Sequence, residues 1–179
     1  STALMHAATG GYLDVVNALL AAGVDFDLQD NSGSTALMRA ASKGHIGVVN
    51  ALLAKGAKLD LQNNLGLTAL MITVLKGRLG IVKEILAKKV KLDLRDNFGS
   101  TALMFAVSDG YLDIVKALLA NGADVNLQNG ADRTALMLAT KRGDLAIVEV
   151  LLAKGAVVSV FELGNVAMMA GGLGWKPFG

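Results

Sequence analysis

The side chains able to carry acid–base, nucleophilic or metal chemistry are few here and widely separated. Cysteine is absent, which removes the thiol nucleophile, the thiolate metal site and the disulfide. The only imidazoles are His6 and His45. They lie in different local surroundings and are not arranged as a catalytic or metal-binding pair. Asp14, Asp113 and Asp144 each stand near the start of an apolar helical stretch, where a negative charge meets the positive end of a helix dipole. Asp25, Asp27, Asp60, Asp93 and Asp124 sit among turn-forming residues without the spacing of a calcium-binding loop. The glycines of "GGLGW" follow no clear strand and open no clear helix, as a phosphate-cradling loop would have to. No nucleophile, base and orienting group converge. The expectation is a chain with no catalytic residues, no cofactor and no metal.

Composition narrows the class further. Of 179 residues, 53% are hydrophobic, 18% are charged and one is proline, the profile of a chain that folds around buried surface. A net charge of +2 provides no large field to hold nucleic acid or an anionic membrane. The longest uncharged stretch near the end, Leu163 to Trp175, is too short to span a bilayer. The first residues already belong to the pattern described next, so the expectation is a chain without a signal peptide at its start. That weakly favours a cytoplasmic setting, and a processed start fits the same residues.

One pattern dominates the elements that carry these residues. "TALM" occurs at residues 2–5, 35–38, 68–71, 101–104 and 134–137, always thirty-three residues apart. A period of this length marks stacked supersecondary units. Each threonine is placed to cap a helix start, and in "TALMRAASKG" Leu37, Ala40 and Ala41 fall on one helical face that ends at Gly44. A second helix follows, as in "HIGVVNALLAKG", where Ile46, Val49, Leu52 and Leu53 predict a buried stripe. Gly23, Gly56, Gly122 and Gly155 end these second helices, and Lys89 stands where the third unit should have its glycine. If Lys89 keeps the left-handed turn, it costs about 1 kcal/mol, and Lys89→Gly should raise the melting temperature. Segments such as "AKLDLQNNLG" alternate and then turn, which predicts projecting hairpin fingers. The fourth finger, "LQNGADRT", has Asp132 in place of glycine, with Asn129-Gly130 as an alternative turn that would re-aim its tip.

Helix, glycine turn, second helix and finger at this period resemble the ankyrin repeat. The match is carried by "D-x-x-G-x-TALM-x-A-A-x-x-G-x-x-x-V-V-x-x-L-L-x-x-G" at residues 30 to 56. The expected fold is therefore an all-α solenoid of helix-turn-helix units with β-hairpin fingers. It forms a single domain over residues 1–179, with units starting near 1, 34, 67, 100 and 133. Ala-Leu-Met stands where the common form has Pro-Leu-His, a variant that looks like bacterial ankyrin repeats. The missing histidine leaves open what ties adjacent fingers together. His45 occupies a position where ankyrin repeats commonly carry a structural histidine. Residues 156–179, with "VAMMA" as a worn "TALM", read as a degenerate terminal unit. Its apolar tail carries Phe161, Met168, Met169, Leu173, Trp175 and Phe178. The expectation is that the tail folds over the last core of a monomer, with self-association through it as the lesser alternative.

The resemblance implies a non-catalytic scaffold that binds another protein through its concave face and finger tips. The residues expected there are Arg39, Lys43, Leu65, Leu67, Ile72, Lys76, Phe98, Phe105, Asp109 and Arg142. The apolar members in the central units would anchor the contact if exposed, whereas Ile72, Phe105 and Leu138 could equally pack between first helices. Two rival readings stand beside this one: a structural or regulatory segment of a larger protein, and an enzyme or small-ligand binder with a pocket under the tail.

Overall fold

The computed structural model describes residues 1–158, folded as ten α-helices in five pairs. The first pair is α1 (Ala3–Gly10) with α2 (Leu13–Ala21), and the second is α3 (Ala36–Lys43) with α4 (Ile46–Ala54). Next come α5 (Ala69–Leu75) with α6 (Leu79–Leu86), and α7 (Ala102–Asp109) with α8 (Leu112–Ala120). The last pair is α9 (Ala135–Arg142) with α10 (Leu145–Ala153). First helices pack on neighbouring first helices, and second helices on second helices.

Local chemistry accounts for where the first helix of each pair begins. The Thr2, Thr35, Thr68, Thr101 and Thr134 hydroxyls each accept the amide of the methionine three residues on, at 3.2 to 3.4 Å. This satisfies one of the free donors of the first turn. Small residues then allow close stacking: Ala8, Ala40, Ala41, Ala106 and Ala139 are completely buried. Val16, Val49, Val82, Val115 and Val148, one from each unit, lie in one continuous core. Ile46 does not join the buried stripe and is exposed, its place in the core being taken by Val48. Each unit covers the next, so Val48, Ile81, Ile114 and Ile147 are buried, whereas Val15, in the first described unit, is 50% exposed.

Three expectations about the turns are corrected. The fingers project, but among the described residues they form turns and no strand pairs. Within the first finger the backbone bonds run only from the Asp30 amide to the Ser34 carbonyl and from the Gly33 amide to the Asp30 carbonyl. The Asp30 carboxylate absorbs the amides of Ser32 and Ser34, leaving none of them for a ladder. Remaining donors reach across to the next finger: the Asn64 amide bonds the Ser32 carbonyl and the Asn97 amide bonds the Leu65 carbonyl. Secondly, Asp132 adopts the left-handed conformation itself, at φ 55°. Its amide bonds the Asn129 carbonyl, so the fourth tip keeps the register of the others and the Asn129-Gly130 alternative is not used.

Thirdly, Lys89 is not left-handed, since Asp132 is the only described non-glycine residue with positive φ. In the second unit the Gly56 amide bonds the Leu53 carbonyl and the Ala57 amide bonds the Leu52 carbonyl. Neither bond has a counterpart at Lys89 and Val90. α6 ends at Leu86, and of the bonds that close the second unit's turn only the one from Lys55 to Leu52 has its equivalent, from the Lys88 amide to the Ile85 carbonyl. A side chain that makes the left-handed turn costly has displaced the turn. The degenerate terminal unit and apolar tail fall almost wholly outside the described residues, as does any packing or self-association through them.

Candidate interaction surface

The first helices and the fingers line a common groove. Thr9, Met38, Arg39, Ser42, Lys43 and Ile72 from three successive first helices meet Ser34 and Asn63 from two fingers around a cavity of about 220 Å³. The structure thus brings together Arg39, Lys43 and Ile72. Lys43, Lys76, Asp109 and Arg142, at successive repeats of one position, are all exposed. Leu67, Ile72, Phe105 and Leu138 are half-buried and packed against the core, so each presents only part of its apolar surface.

The finger tips differ in this respect. Leu65 is 59% exposed and Phe98 is 75% exposed. They belong to adjacent tips, the Leu65 carbonyl accepting the Asn97 amide at 3.1 Å. What holds these tips in place is a set of side-chain amides, with no histidine involved. The Gln29 side-chain amide donates to the Gly33 and Gln62 carbonyls, and Gln62 repeats this one unit on with Gly66 and Arg95. The Asn64 and Asn97 side chains donate to the Asn31 and Asn64 carbonyls. At the finger bases Asp27, Asp60 and Asp93 accept amides from the following unit, which gives these carboxylates a place in the stacking.

One ion pair of the groove had no signal in residue spacing. Arg39 reaches back nine residues to the Asp30 carboxylate of its own finger. The Ser32 hydroxyl first, and then the Arg39 guanidinium, hold the Asp30 carboxyl well below the usual carboxylate range. Arg39 Nε, by contrast, is buried without a partner. The equivalent finger positions carry Asn63, Asp96 and Asn129. Because the corresponding helix residues are Ile72, Phe105 and Leu138, the pairing belongs to the second unit.

The histidines and aspartates with chemical potential are placed apart. His45 Nε2 lies 3.0 Å from the Thr9 carbonyl and donates to it, a bond that joins two units. His6 is exposed on α1. Asp144 stands one residue before α10 and caps it, accepting the Ile147 amide at 3.2 Å. Asp14 and Asp113 lie inside the first turns of α2 and α8. Among the described residues, no cluster of three or more His, Asp or Glu is placed to hold a metal, and no helix is long and apolar enough to cross a membrane.

Comparison with known families places this architecture. A family model described as ankyrin repeats matches three times, over residues 1–63, 52–129 and 70–162. Comparison with curated proteins gives no match.

Proposed function

Because this chain belongs to the ankyrin-repeat family, we propose that it is a non-catalytic scaffold that binds a partner protein with its finger tips and inner groove. Ankyrin repeats are generally protein-interaction modules and generally non-catalytic. The observation that carries the reading is the neighbouring pair Leu65 and Phe98, two large apolar side chains exposed at adjacent tips. Largely exposed as they stand, they leave water fully only when a partner covers them, and burial of such side chains yields about 1.5–3 kcal/mol each. Aromatic anchors of this kind commonly dominate an interface. Ile72 and Phe105 extend the apolar surface into the groove, while Arg39, Lys43, Lys76, Asp109, Arg142 and the half-buried Leu67 form its flanks.

The test is retention of a protein from source lysate by the wild-type chain and by a Leu65→Ala, Phe98→Ala double variant verified as folded. A protein retained by the first and lost by the second supports this placement. Equal retention by both removes the finger tips from the site.

A further inference from the structure

The small net charge conceals a strong division. Between residues 43 and 95 the chain carries ten Lys and Arg against three Asp and Glu, while the remainder carries seven against twelve. The basic segment runs from the end of α3 through most of the third unit, and within it lies the turn where Lys89 stands in place of glycine. A cavity of about 430 Å³ opens there, between the C-terminal ends of α4 and α6. Its wall includes Leu53, Ala57, Leu59 and Leu61, and three lysines, Lys58, Lys88 and Lys89, stand around it. All three are exposed. The single carboxylate in the lining, Asp60, is engaged by Lys91 at 3.0 Å. Among the described residues no ion pair occupies Lys58, Lys88 or Lys89.

We infer that this cavity docks an acidic, partly apolar segment of a partner protein, on a surface that shares no residue with the finger tips. The occupant follows from charge complementarity. Three lysines beside an apolar wall match a peptide that offers carboxylates next to a leucine- or phenylalanine-like side chain. Lysine ammonium groups act as flexible point charges, which suits a carboxylate-bearing strand better than one fixed anion. Two departures from the repeat coincide at the site: the glycine-to-lysine replacement, and the early end of α6 without the two capping bonds seen at Gly56 and Ala57. In the other four units the glycine amide makes the first of those bonds, and the glycine brings no charge.

The experiment uses the full chain. A random dodecapeptide display library is panned on the wild type and counter-selected on a Lys58→Gln, Lys88→Gln, Lys89→Gln variant whose melting curve matches it. The expected result is enrichment of peptides with Asp or Glu beside large apolar residues. Their affinity should fall about tenfold on the triple variant and stay unchanged on Leu65→Ala, Phe98→Ala. Failure to select any peptide, selection without acidic enrichment, or equal affinity for the triple variant would overturn the inference. Loss of affinity only on the finger-tip variant would also overturn it, and would leave the finger-tip reading standing. Vesicles of phosphatidylserine and phosphatidylcholine provide the remaining arm. Lysine-dependent binding to them without any acidic peptide would assign the lysines to an anionic membrane instead.

Discussion

Asp30 shows how much one finger residue can do. Its carboxylate closes the turn through Ser32 and Ser34 and then pairs with Arg39. Asparagine at the equivalent Asn63 makes the same two turn bonds, so Asp30→Asn should leave the turn intact and remove only the charge pairing. The folded chain holds the Asp30 proton more weakly than the unfolded chain does. Its contribution to stability is therefore present above the unfolded value, near pH 4, and fades as pH falls below it. Melting temperatures of wild type and Asp30→Asn should differ at neutral pH and converge in acid; a difference independent of pH would contradict this. A second residue effect concerns Gly66, at φ 76°, where a Cβ would lie 2.7 Å from the Asn97 backbone nitrogen. Gly66→Ala meets both left-handed strain and a backbone clash. It should cost about 2 kcal/mol or more in urea denaturation.

At the scale of elements, the capped starts are the most uniform feature. Thr68→Ala, at a buried cap, should cost about 1 kcal/mol of unfolding free energy, as measured by denaturant titration. For Lys89→Gly the structure reverses the expectation drawn from sequence. There is no left-handed strain to relieve, and glycine adds freedom to the unfolded chain, so the melting temperature should stay level or fall. A clear rise would mean that the turn of the other units had returned. These cases show what was legible in the sequence. Helix starts, core valines and leucines, and the exposed Leu65 and Phe98 could be read because each depends on a local signal repeated every thirty-three residues. The β-hairpins and the turn at Lys89 were misread because backbone hydrogen bonds have alternative partners, and sequence does not rank them. Asx turns and inter-finger bonds took the donors that hairpins would have used. The Arg39–Asp30 pair and the lysine-edged cavity were missed because each joins residues outside the repeating register.

For the molecule as a whole, contacts run between neighbours. The inter-unit bonds described above span one repeat, such as Gln62 to Arg95 and Asp93 to Asp124. Stability in such an array is close to a sum of unit and interface terms. Deleting residues 67–99 joins Gly66 to Ser100 in register and should leave a folded, shorter chain with a lower denaturation midpoint. Circular dichroism with urea titration checks this, and an unfolded product would show longer-range dependence. The same nearest-neighbour bonding gives the protein a mechanical character. Drawn out from its two ends, it should yield in steps, each releasing one unit and lengthening the chain by about 110 Å. The joint after α6, lacking the two bonds that close the turn at Gly56 and Ala57, is the place where tension should first open it. A partner gripping both sides of that joint would act as a splint.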